Sequence, residues 1–179
     1  DTRFNIPVTL ITAQRFGNIN LSRYNVLIVA GSPDLSPVAV ENIKTWNRQG
    51  GTIIAYKGGN SWLVRNKLAE IDFVAAAGSL LKEGIFAERS VNTQARQIPG
   101  SIFSVRLDLT HPLCYGYTRN ILPVFKSGTS AANRTADIYS NPAVYTADPL
   151  LSGYCTKENS DRLKGTAFVS VHRSRIISI

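Results

Sequence analysis

Hydrophobic and polar positions alternate in blocks through the first third of the chain. Residues 24–30 form a nearly continuous apolar run, which is typical of a strand buried on both faces. Residues 36–49 carry apolar positions at helical spacing behind a Ser-Pro capping pair, and Gly50-Gly51 ends the pattern. Residues 52–56 are again apolar and β-branched. Because a strand–helix–strand crossover returns the chain to the same end of the sheet, we predict two parallel strands.

The pattern predicts further elements on both sides of this unit. A short β-branched run at 7–11 indicates a strand, and a helix is expected over about residues 61–70. Residues 73–97 match neither the helical nor the strand periodicity, and we assign no element to them. The second half of the chain contains short runs that predict several strands, the first of them exposed or at a sheet edge, and a helix capped by Thr156. These elements are the strands 102–107, 122–125, 143–147, 167–172 and 175–179, and the helix 156–163.

Length and composition fit one globular domain. The chain has 179 residues, of which 44% are hydrophobic and 18% are charged, a balance that can bury a core. We therefore predict an α/β fold with a mostly parallel sheet and a β-rich second half, spanning residues 1–179 as a single domain. The chain starts with neither a Met nor a signal-peptide pattern, and its last residues resemble an unfinished strand, so we expect an interior fragment of a larger protein.

The net charge of +8 first suggests an anionic partner such as nucleic acid. The basic residues are scattered over different predicted elements, however, and only residues 172–175 form a small cluster. The sequence has no RNP-like or zinc-finger pattern. Its longest apolar stretch is about nine residues, whereas a membrane-spanning helix needs about 20. The sequence therefore predicts neither nucleic-acid binding nor a membrane span.

The two cysteines, Cys114 and Cys155, lack the paired spacing of a zinc site. They can form a disulfide in an oxidising compartment, or they can be two buried free thiols. A disulfide closing a loop of about 40 residues would stabilise the chain by about 3–4 kcal/mol. The spacing leaves both alternatives open.

Few residues qualify as catalytic groups. Cys114 follows His111 by three residues, which allows a thiolate–imidazolium pair, although Pro112 stiffens the turn and no glycine elbow precedes the cysteine. His172 lies in an alternating strand, which favours an exposed position on that strand over a metal ligand. With only these two histidines, the chain cannot supply the ligand set of a zinc peptidase. We predict no metal site.

Five longer motifs along the chain form a recognisable series. They are YNVLIV at 24–29, Trp46 followed by GGTIIA at 50–55, THPLCYGY at 110–117, LPVF at 122–125 and DPLLSGY at 148–154. Together they resemble the domain that follows the catalytic domain in bacterial, chiefly Bacteroidetes-type, zinc carboxypeptidases of the carboxypeptidase A-like class. The resemblance extends over nearly the whole chain.

This resemblance carries several expectations. It implies a flavodoxin-like three-layer sandwich similar to class I glutamine amidotransferases, with a further strand and helix before Asp1 and more chain after Ile179. It implies a secreted or periplasmic parent protein that acts in proteolysis. The partner would be the neighbouring carboxypeptidase domain of the same chain, which would hold the zinc. No cofactor is expected within residues 1–179.

Lys57 marks the departure from the enzymes of that fold. Glutamine amidotransferases place a nucleophilic cysteine on a strained strand-to-helix turn, activated by a histidine and an acid. The resemblance puts Lys57 at this place, with Gly58 and Gly59 after it. A lysine beside two glycines at a turn is typical of a solvated charge. The two glycines could cradle an anion together with Lys57, or they could only allow a tight turn.

We therefore expect an accessory or interaction domain without catalytic residues of its own. Each enzymatic interpretation lacks at least one required partner group. The alternative is a cryptic hydrolase or amidotransferase-like enzyme that uses Lys57 or the His111/Cys114 pair.

Overall fold

A computed structural model describes residues 5–75, 97–173 and 175–179 of the chain. The described residues form two compact units. Unit 1 is residues 5–69, 173 and 175–178, and unit 2 is residues 70–75, 97–172 and 179. Helices and strands occur together in both units, so the predicted α/β class is confirmed. Most of the segment 73–97, to which the sequence assigned no element, lies outside the described residues.

The elements follow one another along the described chain. In order they are α1 (Ala13–Phe16), a 3₁₀ turn (Leu21–Arg23), β1 (Val26–Ala30), α2 (Pro37–Arg48), β2 (Thr52–Tyr56), α3 (Gly58–Arg65), β3 (Ser101–Leu107), a 3₁₀ turn (Pro112–Cys114), β4 (Ile121–Lys126), a 3₁₀ turn (Ile138–Ser140), β5 (Ala143–Gly153), α4 (Lys157–Leu163), β6 (Ala167–His172) and β7 (Ile176–Ser178). The prediction that the second half is rich in β-structure is confirmed.

The strands of unit 1 form a parallel sheet. β2 lies between β1 and β7 and pairs in parallel with both, with Val29 opposite Ala55 and Ile53 opposite Ile176. Helix α2 connects β1 to β2, as a crossover between parallel strands requires. The predicted strand–helix–strand unit is therefore confirmed.

Local sequence explains where α2 begins and ends. The Ala39 amide donates a hydrogen bond to the Ser36 hydroxyl at 3.3 Å, and Pro37 lies in the first turn, where its missing N–H is not needed. Gly50 follows the helix with a φ of 113°, a conformation that strongly favours glycine. The capping signals in the sequence were therefore sufficient to locate this helix.

Helix α3 begins at Gly58 and ends at Arg65, so it lies earlier in the chain than the predicted helix over 61–70. Its start depends on Gly59, because a Cβ atom there would overlap the carbonyl oxygen of Val29 and lie 3.2 Å from the Ala55 side chain. Its end coincides with Lys67, which adopts a φ of 57° and turns the backbone out of the helix.

The two faces of the parallel sheet differ in burial. Ile53 and Ala55 point to one face and are fully buried, and α3 packs there through Gly59. Val26 and Ile28 point to the opposite face, because side chains alternate along a strand, and they are 47% and 57% exposed. Unit 1 therefore covers one face of its sheet and leaves the other accessible.

The strand predicted at 7–11 is wrong. These residues form neither strand nor helix, and α1 follows them. Val8 and Leu10 are 63% and 96% exposed. A β-branched run becomes a strand only where a neighbouring strand accepts its backbone hydrogen bonds, and local sequence cannot supply that neighbour.

The strands of unit 2 form an antiparallel sheet. β3 pairs with both β4 and β5, and β5 pairs with β6, all in the antiparallel sense. The prediction of a mostly parallel sheet is therefore wrong, and so is the prediction that 102–107 is an exposed or edge strand. Phe103, Ser104 and Val105 are successive buried residues of β3, which shows burial on both faces.

The core of unit 2 is built on three aromatic rings. Tyr145 lies between Phe103 and Phe168, at ring-centroid distances of 6.1 and 5.7 Å and with nearly perpendicular planes, a favoured packing geometry.

Helix α4 starts where it was predicted, because the Asn159 amide donates to the Thr156 hydroxyl at 3.3 Å.

The Gly59 contact predicts a stability difference between two glycine variants. Gly59→Ala should lower the free energy of unfolding by about 1–3 kcal/mol, because the added methyl group forces α3 away from β1 and β2. Gly17→Ala is the matched control, since its Cβ would meet no atom within 4 Å and its φ is −59°. Urea denaturation of both variants measures the difference. Equal stability would contradict the close approach of α3.

Candidate functional site

The turn between β2 and α3 holds Lys57 in an unusual backbone conformation. Its φ is 55° and its ψ is −129°, outside the regions that non-glycine residues normally occupy. A strained residue at a strand-to-helix turn is the arrangement that presents a nucleophile in several hydrolase folds. The structure therefore places Lys57 on the type of turn that the resemblance implied.

Two loops meet beside this turn, at the carboxyl ends of β1 and β2. A Cβ atom on Gly58 would lie 3.3 Å from the Ser32 amide nitrogen, so the two backbones are close. Arg65, at the end of α3, donates a hydrogen bond to the Ser32 hydroxyl. The carboxyl ends of parallel strands are where α/β folds build their sites. The position of this turn is therefore suitable for a site.

The side chain of Lys57 is exposed. Among the described residues it takes part in none of the ion pairs. A lysine amine becomes a nucleophile when it is desolvated, and this side chain is not. The geometry is that of a nucleophile turn, while the residue has the surroundings of a solvated charge.

Gly58 and Gly59 have a structural explanation. Gly59 is buried where α3 contacts β1 and β2, and Gly58 lies against the backbone of the neighbouring loop. These close approaches account for both glycines, which lie inside α3 and without a positive φ, so packing and not a tight turn is the explanation that the structure offers. An anion cradle at this turn stays a prediction.

His111 and Cys114 lie in one turn, but their side chains have different hydrogen-bond partners. His111 Nδ1 accepts a hydrogen bond from the Leu113 amide at 3.1 Å, and this caps the 3₁₀ turn. The Cys114 thiol lies 3.5 Å from the Pro142 carbonyl oxygen, to which it can donate. Burial raises the pKa of Cys114, which disfavours the thiolate. This geometry gives the dyad hypothesis no support.

Both cysteines are free thiols in the structure. Cys114 belongs to the unit 2 core, and Cys155 packs against the edge of that core with its thiol 3.5 Å from the Thr156 carbonyl oxygen. Burial also raises the pKa of Cys155, although Lys126 acts in the opposite direction. Of the two alternatives left open by the sequence, the structure has the unbonded one.

His172 is buried, so the prediction of an exposed face position is wrong. It is 9% exposed at the end of β6, and desolvation lowers its pKa.

Over the described ranges, no three His, Cys, Asp or Glu side chains come together as a metal site would require. In the same ranges, no helix has the length and apolar character that crossing a membrane demands.

Sequence reasoning missed a cavity in unit 2. It has a volume of about 540 Å³ and is lined by residues of β3, β5 and the loop before β5. The lining includes Arg106, Leu107, Asp108, Arg134, Ile138 and Val144. The only signal in the sequence was a charged residue, Arg106, inside the otherwise uncharged run 101–107.

No protein-family model matches this chain, and no curated protein or solved structure matches it either. The resemblance to the domain that accompanies bacterial zinc carboxypeptidases therefore stays a prediction, and the function has to be argued from the geometry.

The strain at Lys57 predicts an unusual order of stability. Lys57→Gly should unfold at a higher urea concentration than Lys57→Ala, by about 1 kcal/mol in free energy, because glycine adopts this φ and ψ without a Cβ penalty. Alanine keeps the Cβ and is therefore the matched control. If the glycine variant is equally or less stable, the backbone of this turn is not strained.

Burial predicts how the thiols react. In the absence of reductant, close to two thiol groups per unfolded chain should react with a thiol reagent. In the folded chain, Cys155 should react faster than Cys114. Because burial raises both pKa values, the labelling rate of each should still increase above about pH 9. The variants Cys114→Ser and Cys155→Ser assign the two phases. Fewer than one titratable thiol would indicate a disulfide.

Proposed function

We propose that this chain is a non-catalytic accessory domain that binds the neighbouring domain of its own polypeptide through the accessible face of the unit 1 sheet. The resemblance implies that this neighbour is a zinc carboxypeptidase domain, in a secreted or periplasmic protein that acts in proteolysis. The observation that carries the proposal is the exposure of Val26 and Ile28 in the parallel sheet.

Parallel sheets in α/β proteins are normally covered on both faces. The accessible face here carries no charged side chain in its strands. The strand residues on this face are Val26, Ile28, Ala30, Thr52, Ile54, Tyr56 and Ile177. An uncharged, largely apolar face of this kind is typical of a surface that packs against protein.

Covalent linkage favours the neighbouring domain as the partner that covers this face. A domain attached to the same polypeptide has a high effective concentration at this face, so a modest apolar contact is enough to hold it. With such a layer in place, the sheet would have α3 on one side and a covering layer on the other. The flavodoxin-like three-layer sandwich that the resemblance implies stays part of this proposal.

The second candidate is an enzyme at Lys57, a hydrolase or amidotransferase-like activity. The strained conformation of Lys57 is the observation in its favour, and its exposed side chain is the observation against it. Hydrolysis of glutamine and of an activated ester by the chain, compared with Lys57→Ala and Cys114→Ser, tests it. If the unaltered chain hydrolyses either compound and one of the variants does not, the enzymatic function would replace the accessory one.

The contact proposal predicts that Ile28→Glu acts only when the neighbouring domain is present. In the chain alone, the change should alter the free energy of unfolding by less than about 1 kcal/mol, because Ile28 is more than half exposed. In the parent protein it should expose β1 to hydrogen exchange and lower the thermal midpoint of the domain pair, because it buries a charge against an apolar layer.

Val38→Glu is the matched control. Val38 is 71% exposed but lies on α2 and not on the sheet face, so the same charge should leave both forms unchanged. If hydrogen exchange of β1 is identical in the chain alone and in the parent protein, the face is not a contact surface and the proposal fails.

A further inference from the structure

The cavity of about 540 Å³ in unit 2 brings two arginine side chains into one lining. Arg106 comes from β3, and Arg134 comes from the loop before β5. Both residues are exposed, and neither guanidinium group has an ion-pair partner among the described residues; what distinguishes them from Lys57 is that two such groups line one cavity. Guanidinium groups bind carboxylates and phosphates through paired hydrogen bonds. Two unpaired groups at one cavity therefore favour an oxyanion.

Asp108 limits the charge that this cavity can accept. Its Oδ1 atom accepts hydrogen bonds from the Thr110 hydroxyl at 2.6 Å and from the Thr110 amide at 3.0 Å. These bonds lower the pKa of Asp108, so its carboxyl group is ionised near neutral pH. Two guanidinium groups and one carboxylate leave a single net positive charge in the lining. A ligand with one negative charge matches it better than a dianion.

Two apolar side chains, Val144 and Ile138, line the cavity together with the polar residues Thr135 and Asn141. Val144 lies opposite Arg106 in the register of β3 and β5 and is 9% exposed, whereas Ile138 is 76% exposed; the Leu107 side chain belongs to the core on the other face of β3. Tyr139, next to Ile138 in the same 3₁₀ turn, is 77% exposed. Large apolar side chains left in water beside a polar cavity are typical of a surface that a ligand covers.

The loop that carries Arg134 is held in place before any ligand arrives. The Asn141 side chain accepts a hydrogen bond from the Thr135 amide at 2.9 Å and donates to the Asp137 carbonyl oxygen at 2.9 Å. Asp137 in turn caps the 3₁₀ turn that contains Ile138. A preorganised loop reduces the entropy that binding would otherwise cost.

We infer that this cavity binds a small organic monocarboxylate, with its carboxylate on Arg106 and Arg134 and its apolar body against Val144 and Ile138. The site lies entirely within unit 2. It is independent of the contact face in unit 1 and of the Lys57 turn.

Benzoate is the probe, because it joins one carboxylate to a compact apolar ring. Titration of the isotope-labelled chain at constant ionic strength, followed by amide and arginine Nε–H NMR signals, should show saturable shifts at the cavity residues. Benzamide has the same shape without the charge and should bind at least about tenfold more weakly. Inorganic phosphate should also bind more weakly than benzoate.

Arg106→Gln and Arg134→Gln should each weaken benzoate binding by at least about tenfold, since each removes a charge-assisted hydrogen bond. Arg23→Gln, an exposed arginine in unit 1, is the matched control and should change affinity by less than about twofold. The amide spectra report whether each variant is folded, and the comparison of benzoate with benzamide on the unaltered chain needs no variant.

Three results would overturn the inference. They are equal binding of benzoate and benzamide, benzoate affinity that is unchanged in both folded cavity variants, and shifts that spread over all arginines without saturation. Tighter binding of phosphate than of benzoate would reject the carboxylate assignment.

Discussion

The parallel pairing of β1 with β2 is the constraint on which the organisation of unit 1 depends. Parallel neighbours require a crossover, and α2 provides it between Ala30 and Thr52. The register then decides which side chains share a face, so Val29, Ile53 and Ala55 are buried while Val26 and Ile28 are exposed. The same pairing brings both strand ends, and the turns after them, to one edge of the sheet.

At that edge, a turn with the backbone geometry of a nucleophile turn carries an exposed lysine. Gly59 lets α3 approach β1 and β2 closely, and Lys57 takes the strained backbone position just before the helix. Burial and a neighbouring base would be needed to make the lysine amine reactive. In the part of the chain that the structure describes, the Lys57 side chain is exposed instead. Our functional proposal therefore rests more on the accessible sheet face.

Unit 2 follows a different principle. Its antiparallel sheet is organised around the rings of Phe103, Tyr145 and Phe168, and it needs no crossover helix. Cys114 is part of this core, so its thiol serves packing, and burial works against a thiolate. The two arginines that line the unit 2 cavity, Arg106 and Arg134, lie near the end of β3 and in the loop before β5.

The sequence by itself determined the elements whose signals are local. Ser36 and Thr156 marked helix starts, Gly50 marked a helix end, and the apolar runs at 24–30 and 52–56 marked the parallel strands. Only the tertiary structure decided which strands lie in the middle of a sheet, because burial of 101–107 depends on neighbours distant in the chain. It also decided the burial of His172 and the meeting of the two cavity arginines. Periodicity reports one segment's preference for burial, whereas a site depends on which segments come together.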